Sequence, residues 1–196
     1  ELLIMIAPPL LLLADPLPIL LWGLPRKLRL SVRHLLARGA MVRRILYSGT
    51  WMPVAWGVYV VNLWMWHLPV AYEAALRNHL LHDLEHLTFF GTAVLFWWPI
   101  INPAPRLHGQ VAYGFRILYI LAATFQTVAL GFAIAVTERV LYSHYAAAPR
   151  LWGLSPLDDQ AYGGAIMSEA GMMFLIPLLV LVNQWLNDEE RRTRLR

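Results

Sequence analysis

Apolar residues run through this chain in long, nearly unbroken stretches, with polar residues gathered at the seams. Windows close to the length that crosses a hydrocarbon core as a helix extend from Leu2 to Trp22, Tyr47 to Trp66, Leu84 to Ile101, Val111 to Val136 and Ala161 to Leu186. The pattern predicts an all-α polytopic transmembrane helix bundle of at least five spans, a single integral membrane domain over residues 1–196. Pro8, Pro9, Pro16 and Pro18 interrupt the first stretch, and no basic residues precede it, so it reads as a broken or kinked span and not as a signal peptide. The chain opens at Glu1 and is apolar from its second residue, so further sequence upstream is expected.

Charge placement orients the spans. Arg26, Lys27, Arg29, Arg33, Arg38, Arg43 and Arg44 lie between the first two apolar stretches with no acidic residue among them. The positive-inside rule assigns that segment to the cytoplasm. Alternation then puts Arg106, Arg116 and the tail with Arg191, Arg192, Arg194 and Arg196 inside as well, so the C-terminus is expected to be cytoplasmic. Glu73, Asp83, Glu85, Glu138, Asp158 and Asp159 fall outside, giving an acidic outer face that favours cations. Leu24 to Leu46 alternates arginines with Leu28, Leu30, Val32, Leu35, Leu36, Met41 and Val42, and reads as a basic amphipathic helix lying on an anionic cytoplasmic leaflet.

Composition agrees with a membrane setting: 59% of residues are hydrophobic, 14% are charged and the mean hydropathy is +0.52. The net charge of +4 does not point to nucleic acid, because the basic residues sit beside the spans and not on a folded polar face. With no cysteine, disulfides, thiolate zinc sites and haem attachment through CxxCH are excluded. A metal would therefore have to use His, Met, carboxylate or carbonyl ligands.

The same orientation gathers His67, His79, His82, His86 and His144 on the outer side. On a helix, His79, His82 and His86 share an arc of roughly 60 degrees. His67 closes the second stretch directly after Met65 and Trp66, and a turn at Pro69 is expected to bring it back toward the third span. Two to four imidazoles with Met65 as a soft ligand suit copper, although the same donors would accept zinc. Histidines at a membrane interface also serve as amphipathic caps that ligate nothing, and His79 fits that description best. His82, Glu85 and His86 further spell HxxEH, the inverted zinc-protease pattern, which leaves a membrane metalloprotease open.

Glu169 lies about eight residues into the last stretch, roughly 12 Å deep at 1.5 Å per residue, where a carboxylate must be paired or protonated. It is a candidate ligand or proton relay with His86, or an acid hydrogen-bonded among the helices. Asp158 and Asp159 follow Ser155 and Pro156 and read as a helix N-terminus, with Asp159 alternatively an outer acceptor for a metal site. Asn62, Thr88, Thr124, Gln126 and Thr127 are expected to hydrogen-bond between helices. The outer loop from Thr137 to Gln160, with Tyr142, Tyr145 and Trp152, is expected to fold back over the helices.

Several blocks in order carry a family resemblance: APPLLLL from Ala7, MWHLPVAYEAAL from Met65, HDLEHLTFF from His82, LFWWP from Leu95, YAAAPRLWGLSPLDDQ from Tyr145 and GGAIM from Gly163. The chain resembles the CtaG family of cytochrome c oxidase assembly factors, polytopic proteins of the bacterial plasma (inner) membrane. That resemblance implies a non-enzymatic role in maturing a haem-copper oxidase by holding or delivering copper, with the oxidase subunits as partners. It carries His67, His82 and His86, and the acids Asp158 and Asp159, over as candidate site residues. Two departures stand out. The family's His-containing turn ahead of APPLLLL would fall where this chain begins too late to show it, and Ser168, Glu169 and Ala170 stand in place of its apolar or Trp-Pro-Gly-like run after GGAIM. The remaining alternative is an accessory subunit of a respiratory complex whose histidines contact haem, quinone or lipid.

Overall fold

The computed structural model describes residues 2–37, 39–147, 149–150 and 153–194. Of the positions invoked above, Glu1, Arg38, Ala148, Leu151, Trp152 and Arg196 lie outside them. The described residues are all-α, with no strand among them. The helices divide between two compact units, Glu1–Leu63 with Asp83–Val111, and Trp64–His82 with Ala112–Arg196.

In the first unit, α1 (Leu2–Leu13) ends at Asp15, whose φ of 43° is left-handed, and Pro16 opens α2 (Pro16–Gly23). Residues 6–23 bend by 64° across this break. The Asp15 carboxylate, freed from the helix, accepts from the Ala104 backbone N–H at 2.9 Å. The basic segment forms two short helices, α3 (Arg26–Leu35) and α4 (Met41–Gly49), where one was expected. Gly39, with φ of 95°, supplies the conformation that separates them. Both helices are amphipathic and bury no residue, leaving Leu28, Leu30, Leu35, Met41, Val42 and Ile45 exposed beside the arginines.

The expectation of at least five spans requires correction. Three helical stretches are long and apolar enough to cross a membrane, or four if the bent α1–α2 pair is one span. The stretch from Tyr47 to Trp66 fails because it is not one helix. Pro53 has no N–H for the preceding turn and its ring crowds the carbonyl four residues back, so α4 stops at Gly49 and α5 (Met52–Trp66) starts afresh. At 15 residues, α5 is about 22 Å long, short of the roughly 30 Å hydrocarbon core. Thr50, fully buried at the break, turns its hydroxyl back to the Leu46 carbonyl at 2.6 Å.

α5 is followed by α6 (Pro69–Arg77), in place of the simple turn expected at Pro69, and then by α7 (His79–Ile101). Proline at the first helical position suits helix initiation as well as a turn. Within the first unit α5 and α7 meet through Tyr59 and Phe96, whose ring centroids are 4.7 Å apart, and through Asn62, which donates to Thr92 at 3.4 Å. The connection after α7 is pinned by His108, which shares a 2.8 Å hydrogen bond with Thr50 and packs its ring 4.3 Å from Tyr47. Burial pushes the His108 imidazole below its ordinary pKa, favouring the neutral ring that this pocket accommodates.

In the second unit, α8 (Tyr113–Ala135) packs along α10 (Pro156–Met172). Pro177 ends α10 by the mechanism that divides α4 from α5, and α11 (Leu175–Arg194) follows after two turn residues. Residues 156–194 together count as one apolar stretch of 39 residues. Lipid tails are as apolar as the side chains, so helix association here depends on close packing and hydrogen bonds. Gly131 on α8 and Gly164 on α10 provide the approach. A Cβ at Gly164 would stand 2.6 Å from the Ala135 nitrogen and 2.6 Å from the Gly131 carbonyl oxygen.

Candidate functional site

The residues that charge placement assigned to the outside are carried by α6, α7, α10, the end of α5 and the loop after α8. Asn78 starts α7 by accepting from the N–H groups of Leu80 and Leu81 at 2.9 and 3.3 Å. That cap satisfies two otherwise orphaned donors and sets where the helix bearing the HxxEH residues begins. Counting 100 degrees per residue, His79, His82 and His86 continue the arc that lower down carries the buried Phe89, Ala93, Trp97 and Ile100. The packed face of α7 thus turns into histidine toward its N-terminal end. His82 is half-buried and His86 exposed, whereas Glu85 is buried, with 8% exposure.

The other candidates are dispersed along the chain. His67 follows α5, half-buried, and its carbonyl accepts from the Tyr142 hydroxyl at 3.0 Å. Met65 and His79 are exposed. Asp159 is exposed in the first turn of α10, next to the capping box in which Ser155 accepts from the Asp158 N–H and the Asp158 carboxylate accepts from the Ser155 N–H. Glu169 is exposed on α10. Among the described residues, no three His, Asp or Glu side chains are grouped so that they could hold a metal ion.

The loop after α8 folds back as a strap in the second unit, as expected, and what the sequence did not reveal is which residues hold it. The loop after α8 contains α9 (Ser143–Ala147), and the Glu73 carboxylate on α6 receives both the N–H and the hydroxyl of Ser143, each at 2.6 Å. Tyr72 stacks 4.4 Å from Tyr142 and its hydroxyl meets that of Tyr145 at 3.1 Å. Gln160 of α10 fastens the near side of the loop, accepting from the Leu141 N–H at 2.7 Å and donating to the Arg139 carbonyl at 3.2 Å. The loop therefore folds back, held by α6 and α10. Glu73 also accepts from Arg77, four residues on, at 2.9 Å, and no local signal names a partner 70 residues away.

The Ser143 hydrogen bonds, joined by the charges of Arg77 and His144, hold the Glu73 carboxyl below its ordinary value of 4.5. A carboxylate whose pKa falls on folding stabilises above its unfolded value, and the contribution disappears as pH drops through the folded one. The strap is therefore expected to be tight at neutral pH and to loosen below about pH 4.5. Glu73→Gln should loosen it at neutral pH as well. Amide exchange at Ser143 measures both effects, and protection that is insensitive to pH and to the substitution would contradict the assignment.

Hydrogen bonds between helices are only part of the polar pattern. Gln126 receives the Trp64 indole N–H at 2.9 Å and donates to Thr127 at 2.8 Å, joining the end of α5 to α8 in the second unit. Thr88 and Thr124 donate to carbonyls of their own helices, Glu85 and Ile120.

Long apolar helices and amphipathic basic segments define a multi-pass α-helical membrane protein. Residues 1–188 match the family model described as Cytochrome c oxidase caa3 assembly factor (Caa3_CtaG), and the chain belongs to that family. No curated protein and no solved structure matches the chain. Family membership places it among bacterial membrane proteins that assist the assembly of a haem-copper oxidase.

Proposed function

We propose that this chain is a membrane-embedded assembly factor that carries copper as cargo to a haem-copper oxidase, and that His82 and His86 are the cargo ligands. The observation that carries the reading is the placement of two imidazoles one turn apart on α7, where its packed face gives way to a more open end. Two nitrogen donors suit Cu(I), and they leave coordination positions free for ligands of the recipient. A closed set of three or four ligands would hold the metal instead of releasing it. His67 and Met65, both at the end of α5, are further ligand candidates. The same donors would also take zinc, so metal identity rests on the measurement below.

In this role the chain acts stoichiometrically and not as an enzyme. The protease reading of HxxEH is less well supported, because Glu85 is turned into the packed side of α7, away from solvent water. The arginines of α3 and α4 suit the headgroups of an anionic cytoplasmic leaflet, and the exposed apolar residues beside them suit its acyl boundary.

Metal analysis of purified protein after Cu(I) loading tests the proposal. Wild type is expected to retain copper, and His82→Ala with His86→Ala to weaken binding by more than the roughly 100-fold that loss of an outer-shell partner causes. Unchanged stoichiometry and affinity in the double variant would remove these residues from the mechanism.

A further inference from the structure

The least explained side chain in the second unit is Glu169. Along the helices it is about 15 Å from Asp159 and about 29 Å from Asp188 at 1.5 Å per residue. The roughly 44 Å between those two acids matches a bilayer with its headgroups, so Glu169 lies within the hydrocarbon, nearer the Asp159 end. α10 packs on α8 through Gly164, Met167, Ser168 and Gly171. By helical phase Glu169 points to the opposite side, in a stripe with the exposed Tyr162, Ile166 and Met173.

A carboxylate on the exposed face of a membrane helix is costly unless another group neutralises it. Among the described residues no hydrogen bond or ion pair to Glu169 is formed. We propose that Glu169 and its flanking stripe are a docking surface for a transmembrane helix of the client oxidase, one that presents a cationic side chain at the same depth. The identification of the client rests on the assembly role proposed above. Charge complementarity favours a foreign helix over a second copy, because this chain has no Lys or Arg in residues 78–105, 117–138 or 151–190. A second copy would bring only another carboxylate to a symmetric contact along this stripe.

The experiment places a photocrosslinking amino acid at Ile166 in the full chain, expressed in membranes together with the oxidase subunits. The expected product is an adduct with a multi-pass oxidase subunit, and Glu169→Leu should lower its yield about tenfold, the equivalent of one intramembrane polar contact. Thermal unfolding and Cu(I) binding of purified Glu169→Leu are expected to be unchanged, since the side chain is exposed and lies outside the His82 and His86 pair. His82→Ala with His86→Ala should leave the adduct in place, so loss of copper binding and loss of docking are separable. An adduct with a second copy, an adduct with lipid alone, or a yield indifferent to Glu169→Leu would overturn the proposal.

Discussion

Gly164→Ala is expected to destabilise the protein by about 1–3 kcal/mol or more, the range seen when a methyl group is forced into a closed interface, while Gly163→Ala one residue earlier is expected to be neutral or mildly stabilising. At Gly164 the added carbon would meet backbone atoms of Ala135 and Gly131 at 2.6 Å, which cannot rotate away as a side chain would. α8 and α10 must then separate, and the contacts that Ser168 makes with the Gly164 and Val128 carbonyls at 3.0 and 3.4 Å are strained with them. At Gly163 a Cβ has nothing within 4 Å, and alanine is the better helix former by about 1 kcal/mol. Gly171→Ala is intermediate, since its nearest obstacle is a Val128 side-chain methyl at 2.9 Å. Thermal unfolding in detergent, read for the three variants side by side, checks the ranking. Equal behaviour of Gly163→Ala and Gly164→Ala would mean that α8 and α10 do not pack as closely as described.

That pair of glycines shows how far the sequence could be read. The GG dipeptide was visible, but which glycine faces α8 depends on helical phase and on a partner more than 30 residues away. The apolar runs gave α7 and α8 to within a few residues because hydrophobic length and membrane thickness are the same constraint. Ser155 to Asp159 declared the start of α10 because a capping box is satisfied locally. Hydropathy failed at Pro53, where an apolar run long enough to cross concealed a break in hydrogen bonding. It also missed α6, whose mixture of polar and apolar residues in nine positions looks like a loop.

The candidate site was legible along one helix only. The spacing of His82 and His86 places them one turn apart wherever that segment is helical, and α7 is helical there. The burial of Glu85 and the exposure of Glu169 depend on packing that no single-helix pattern encodes. Glu73 and Gln160, which hold the loop after α8, belong to tertiary contacts and left no trace beyond ordinary polar positions.

The largest functional effect is expected from His82→Ala combined with His86→Ala in cells. If these imidazoles carry the cargo, membranes should contain the chain at normal levels alongside an oxidase that has its haem but lacks copper, because assembly of the protein subunits and haem insertion do not use the pair. Neither substitution empties a fully buried position, as His82 is half-buried and His86 exposed, so a folding defect is not expected to mimic the result. The deciding measurement is the copper-to-haem ratio of the oxidase isolated from cells carrying wild-type chain, the double variant or no chain. The account predicts a full ratio with wild type and a copper-deficient oxidase in the other two. A double variant that restores full copper to the oxidase would contradict it.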